Sequence, residues 1–323
     1  VGRPAHGNGR VIEVRDPFTD DVVATVPKAT VDDVRRAFDA ALAYRPTLTR
    51  HERAQILESA SRSVATRTEE LSALITRESG LCRKDSRHEV GRVCDVLLAG
   101  ARAALHDDGQ VFSCELTAHG RNRKVYTMRE PLAGVITAIT PFNHPLNQVI
   151  HKVAPAVATG NRILVKPSEK TPLAALVLAD VLYEAGLPPP MLSVLTGDPR
   201  EIADEMLTHA DVDLVTFTGG VAIGKYIAAK AVYKRQVLEL GGNDPLIVMD
   251  DADLDEAAAL AAAGSYSNSG QRCTAVKRIL VHERVADLFI EKLLAATARM
   301  NHGDPLDPAT DMGTVIDEAA AIE

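Results

Sequence analysis

Apolar and polar positions along the chain change period twice, and each change marks a different kind of structure. Val11 to Val14 and Val22 to Val26 are short alternating runs around Asp16-Pro17-Phe18-Thr19-Asp20, which predicts an edge hairpin closed by Pro27. From Thr30 the period becomes helical. Thr30 precedes Asp32 and Asp33 as an N-cap, and a helix is expected to about Ala43. Thr49 to Arg77 carries a helical stripe of Ile56, Ala60, Val64, Leu71, Leu74 and Ile75, interrupted near Thr66 to Thr68. Ser86 to Ala104 carries another, of Val90, Val93, Val96, Leu97 and Ala101.

After Asp107-Asp108-Gly109, strand-like segments Gln110 to Leu116 and Arg123 to Arg129 flank a basic turn, predicting a long hairpin with free backbone edges. From Gly134 near-continuous apolar runs (Val135 to Ile139, Arg162 to Val165, Leu192 to Leu195, Leu214 to Phe217, Val237 to Leu240) alternate with helical segments. Strands apolar on both faces imply a parallel sheet covered by helices, with ligands expected at its carboxyl edge. A last unit follows: Leu246 to Met249, a helix from 254 to 264 capped at Asp253, a strand Arg278 to His282 and a helix from about Val285 to Met300.

Composition narrows the class. The chain has 323 residues, 46% of them hydrophobic, and a net charge of −8, which disfavours nucleic acid or an anionic membrane as the partner. No run of 18 apolar residues and no signal pattern occurs, so a cytoplasmic protein is expected. The four cysteines have neither metal-site nor disulfide-scaffold spacing, and no metal is expected.

Five loops concentrate the chemistry. Cys273 stands among Ser269, Gly270, Gln271, Arg272 and Thr274. It is either a small packed residue or a thiolate favoured by nearby positive charge. Asn143, between Pro141 and Pro145, is either a turn residue or an amide fixed to stabilise an oxyanion. Lys166 and Glu169 end one strand; they are surface residues or ribose contacts. Phe217-Thr218-Gly219-Gly220 opens a helix where a diphosphate could approach, without the usual G-x-G-x-x-G pattern. Glu239 lies in an apolar run ending in Gly241-Gly242, so it is exposed at a strand edge or kept for proton transfer.

LELGGNDPLIVMDDADLD and NSGQRC, separated so that Glu239 and Cys273 are 34 positions apart, occur with P-F-N-H-P, K-P-S-E and F-T-G-G. In this order they resemble the NAD(P)-dependent aldehyde dehydrogenase superfamily. The resemblance implies an α/β fold with a Rossmann-type parallel-sheet NAD domain at 131–240 and the first part of an interwoven catalytic domain at 241–323. It implies a β-hairpin oligomerisation element at 110–130 and a helical part at 1–109 joined to the cofactor domain. It further implies Cys273 as nucleophile, Glu239 as general base and Asn143 in the oxyanion hole. NAD, with NADP possible, would be held by Thr140, Pro141, Phe142, Lys166, Ser168, Glu169, Gly219, Gly220, Gly224, Leu240 and Gly241.

Two departures stand out. Gly220 replaces a serine common in relatives, and the family's E-x-F-G-P segment is missing, so the sequence resembles a C-terminally truncated member of a homodimeric or homotetrameric enzyme. Arg272 precedes the thiol, while Arg92, His144 and His151 are expected at the pocket mouth. Two arginines suit a small anionic aldehyde, and the wording of the motifs resembles the branch of the family that oxidises phosphonoacetaldehyde. Glyceraldehyde 3-phosphate, lactaldehyde or succinate semialdehyde are the alternatives, and a catalytically silent binding subunit is the alternative of a different class.

Overall fold

The computed structural model describes residues 9–106 and 109–322. Asp107 and Asp108, placed above at the end of the helical part, lie outside them. Strands β1 (Val11–Arg15) and β2 (Val22–Pro27) form the expected antiparallel hairpin. Helix α1 (Val31–Ala43) opens with a complete capping box, Thr30 accepting from the Asp33 amide while Asp33 accepts from Thr30. The long helical stretch breaks at Arg67 into α2 (Arg50–Thr66) and α3 (Thr68–Ser79). Gly80 then ends α3 in the left-handed conformation, φ 77°. Helix α4 (Arg83–Leu105) follows and packs against α2, α3 and a later helix, α5 (Pro145–Ala158).

The hairpin at 110–130 is shorter than its composition predicts. Only β3 (Val111–Ser113) and β4 (Lys124–Tyr126) pair, because a 3-10 turn at Ala118–Gly120 occupies the connection. Val111, Phe112, Val125 and Tyr126 are all exposed.

The expected βα series builds one five-stranded parallel sheet in the order β7-β6-β5-β8-β9. Its strands are β5 (Val135–Ile139), β6 (Ile163–Lys166), β7 (Leu192–Val194), β8 (Val212–Thr218) and β9 (Arg235–Glu239). The order reverses at β5, which places the carboxyl-end crevice between β5 and β8. Side chains alternate across it: Ile136, Ala138, Ile163 and Val165 join the core under α2, α4, α5 (Pro145–Ala158) and α6 (Leu173–Glu184). Val135, Ile139, Leu164, Val215 and Phe217 join the core under α1, α7 (Pro199–Thr208) and α8 (Val221–Ala231). Beyond β9, β10 (Asp244–Val248) and β11 (Val276–Val281) form a two-stranded parallel sheet. Helices α9 (Leu254–Tyr266) and α10 (Ala286–Ala298) give it a small core around Val248, Ala258, Ala261 and Phe289. The segment after α10 returns towards α3, with the Thr314 amide donating to the Gly80 carbonyl, before the short α11 (Glu318–Ile322).

Candidate active site at the thiol loop

Cys273 is exposed and free, which removes the packing reading of this residue. The turn before it is unusual: Asn268, Ser269 and Gly270 are all left-handed, with φ of 52°, 52° and 74°. Non-glycine residues in that region cost about 1–3 kcal/mol each unless their surroundings hold them. Here α4 and the 313–316 segment hold the turn. The Asn268 amide donates to Asp85 Oδ2 at 3.0 Å, Ser269 Oγ donates to the Gly313 carbonyl at 3.0 Å, and Gln271 Oε1 accepts from the Ile316 amide at 3.0 Å.

Asn143 joins the same loop. Its Nδ2 donates to the Gln271 carbonyl at 2.8 Å, and Asn268 Nδ2 donates to the Asn143 carbonyl at 2.8 Å. The two residues assigned to oxyanion and nucleophile therefore belong to one hydrogen-bonded unit. Gly242 brings in the third motif, because a side chain there would meet the Cys273 carbonyl oxygen at 2.2 Å. Lys277 Nζ closes this junction by donating to the carbonyls of Gly242 and Arg272, at 2.8 and 3.1 Å.

Glu239 is exposed at the end of β9, the edge strand of the sheet, so its carboxylate is open to water. Its carbonyl accepts from the Gly219 amide at 3.0 Å, tying it to the glycine loop. Its charge weakly opposes the lowering of the His151 and Lys152 pKa values, in which burial is the main cause. Lys152 is a residue that sequence reasoning missed. It is buried, donates to Thr218 Oγ1 at 2.7 Å, and has its pKa lowered by burial. A lysine on the apolar side of an otherwise buried helix was the available signal.

Positive charge gathers beside the thiol loop. Burial, with Arg272, Arg92 and His88 nearby, pushes the His144 pKa down to about 4. His151 is accessible, yet partial enclosure together with Arg92 and Lys152 lowers its pKa too. His144 is thus neutral at pH 7, and the arginines supply the positive charge beside the loop. Arg272 Nη2 donates to the Gly264 carbonyl at 2.9 Å, while its Nε is buried without a partner. Orphaned buried polar atoms concentrate here: Asn143 Oδ1, Gln271 Nε2, Arg272 Nε and Thr140 Oγ1. An open groove of about 940 Å³ reaches His151 and Lys152 along α5 and β9, but it is not lined by Cys273.

The proposed cofactor residues occupy the sheet's carboxyl edge and fit a dinucleotide. Lys166 Nζ is buried and donates to the Pro167 carbonyl at 2.8 Å and to the accessible Glu169 at 3.2 Å. Ser168 Oγ accepts from the Lys170 amide at 3.2 Å and shapes that turn. Helix α8 begins at Gly220 with no side-chain cap and no acid in its first turn, leaving its amides for an anion. Open space surrounds the Cα of Gly220. The other two glycines serve packing as well: a side chain at Gly219 would meet the Phe217 ring at 2.4 Å, and one at Gly224 would meet Leu240 at 2.3 Å. No cluster of metal-binding side chains occurs among the described residues, and no helix among them is long and apolar enough to cross a membrane.

This arrangement defines an α/β protein with a dinucleotide-type sheet and an exposed cysteine at its carboxyl edge. The model of the aldehyde dehydrogenase family matches residues 4–323, and the chain belongs to that family. It is 40% identical over 306 residues to a 3-sulfolactaldehyde dehydrogenase of Priestia megaterium, covering 94% of this chain and 64% of that protein. A sulfoacetaldehyde dehydrogenase of Neptuniibacter caesariensis is 38% identical over 270 residues, covering 84% of this chain and 59% of the relative. Among solved structures, the glyceraldehyde-3-phosphate dehydrogenase GapN of Methanocaldococcus jannaschii complexed with NADP superposes with a TM-score of 0.90. It is 34% identical and covers 95% of this chain and 68% of its own. The chain thus spans less than two thirds of the length of these two curated relatives.

Proposed function

We propose that the protein oxidises a small anionic aldehyde to its carboxylate with NAD(P)+, using Cys273 as nucleophile. The observation that carries this reading is the hydrogen-bonded unit of Asn143 and the exposed Cys273 loop beside Arg92, Arg272 and His144. The Cys273 sulfur adds to the aldehyde carbon, and the resulting oxyanion is stabilised by the Asn143 amide. NAD(P)+, which Lys166, Glu169 and the Gly219 to Gly224 segment would hold, would supply the hydride acceptor needed to oxidise the Cys273 adduct to a thioester. Glu239 then serves as base for the water that cleaves the Cys273 thioester, with Lys152 and His151 in its electrostatic range. A silent subunit would have no use for a strained, exposed thiol loop registered to an amide.

The anionic group of the substrate meets Arg272 and Arg92, with His144 as a neutral N–H donor. A phosphonate fits two guanidinium groups best, making phosphonoacetaldehyde the first candidate and phosphonoacetate its product. A sulfonated aldehyde is the second reading, favoured by the names of the two relatives above. The exposed β3–β4 hairpin supports a homo-oligomeric assembly.

Steady-state kinetics with phosphonoacetaldehyde, sulfoacetaldehyde, succinate semialdehyde and propanal tests the assignment. The charged substrates should exceed propanal in kcat/KM, and Arg272→Leu should lower their values by about 100-fold, the loss of one charged hydrogen bond, with propanal little changed. Equal efficiencies for charged and neutral aldehydes would overturn the anionic assignment.

A further inference from the structure

The loop that carries Asn143 and the loop that carries Cys273 are both fastened to α4, from carboxylates one helical turn apart. Glu89 Oε1 accepts from the amides of Leu146 and Asn147, both at 2.8 Å. These are the second and third residues of α5, whose N-cap His144 offers no side-chain cap of its own. Glu89 therefore caps a helix 57 residues further along the chain, immediately downstream of Asn143. Asp85, four residues before Glu89 on α4, accepts from the Asn268 amide at 3.0 Å. Asn268 in turn donates to the Asn143 carbonyl. The i, i+4 spacing places Asp85 and Glu89 on the same face of the helix.

We propose that Asp85 and Glu89 form a positioning pair: the helical turn between them sets the register of the Asn143 amide relative to the Cys273 loop. The inference rests on the proposed oxidation, since the register matters only if those two groups act on one carbonyl. Neither carboxylate is offered as a catalytic residue. An α-helix suits the task because its rise and side-chain spacing deform little, and a reacting geometry misplaced by about 1 Å can cost around 100-fold in rate. Glu89 is buried, which raises its pKa to about 8 against the two amides that lower it, and its Oε1 is the acceptor both amides use. Glutamine reproduces that acceptor, whereas alanine removes it.

The test compares Glu89→Gln, Glu89→Ala, Asp85→Asn and Asp85→Ala, each checked for a cooperative melt. Glu89→Ala should lower kcat by about 10- to 100-fold with the NAD dissociation constant unchanged, and Glu89→Gln should restore kcat to within about threefold of wild type. The two alanine changes should be non-additive, because each releases the same register. Full additivity, or a glutamine variant as impaired as alanine with the fold intact, would overturn the pairing. Amide hydrogen exchange separates this from the functional reading. Glu89→Ala should speed exchange at 268–271, which Glu89 does not touch, as well as at 144–148. If exchange at 268–271 stays at the wild-type rate, the positioning pair is wrong whatever the substrate. If it rises in a protein that oxidises none of the aldehydes, the pair stands and the proposed oxidation falls.

Discussion

The cofactor-side sheet and the thiol-side unit are both parallel β structures crossed by helices, yet they are held by different means. Every residue of β5 is buried, and the sheet from β5 to β8 lies between two large apolar cores. In the second unit, Ile247, Met249 and Leu280 are exposed near or on β10 and β11, as are Leu288, Ile290 and Leu294 on α10. Within the part of the fold that this chain spans, less than two thirds of the length of the two curated relatives, its core is a handful of side chains around Phe289. What fixes the thiol loop is instead a set of hydrogen bonds to α4, to the Asn143 loop and to the 313–316 segment. Burial is non-directional and tolerates repacking, whereas hydrogen bonds set positions to a few tenths of an ångström. A cofactor platform needs the first property, and a nucleophile aligned with an amide needs the second.

The largest effect expected on this contrast is chemical. Cys273→Ser should abolish aldehyde oxidation while NAD binding, measured by titration calorimetry, stays near wild type, because the thiol belongs to no core. Persistent turnover would remove Cys273 from its role. Next comes Phe289→Ala, which should destabilise the second unit by about 3–5 kcal/mol. Hydrogen exchange should then show β10 and β11 opening before β5 and β8. Uniform loss of protection would mean that the two regions unfold as one.

A smaller effect separates them by pH. Glu78 is buried on the cofactor side, accepting from the Leu173 and Ala174 amides at the start of α6. Burial pushes its pKa up to about 8, opposed by those two amides and reinforced by Glu89. The native state therefore holds a proton that the unfolded chain releases near pH 4.5. This contribution is fully present below about pH 4.5 and is lost as pH rises to about 8. Melting across that window should show the decline, and Glu78→Gln, which has no proton to lose, should flatten it. His144 has the opposite sign: its depressed pKa makes stability fall as pH drops from 6.5 towards 4.

Local chemistry was legible in the chain wherever period or capping residues act over a few positions. The two-residue alternation of β1 and β2, the Thr30 and Asp253 caps and the continuous apolar runs of the parallel strands all follow from short-range sterics and burial. The site motifs were legible only through resemblance, since Cys273, Glu239 and Asn143 each kept a packing, strand-edge or turn reading until their order along the chain was matched to the family. The hairpin lengths were not legible, because the 3-10 turn at 118–120 competes with pairing in a segment of strand-like composition.

What only the tertiary structure decided is which distant residues meet. Nothing in the run E-S-G-L or R-H-E-V announces that Glu78 and Glu89 will cap helices 95 and 57 residues away. Lys152 is likewise ordinary in sequence and unusual only once buried against Thr218. The thiol loop is a similar case: its composition left Cys273 open to two readings, and the bonding of its loop to Asn143 depends on left-handed residues that have no local reason to stay so. They persist because α4, the Asn143 loop and the returning 313–316 segment supply partners that an isolated loop lacks. Sequence determines local preference through sterics and period; long-range hydrogen bonds exist only after the chain has closed on itself.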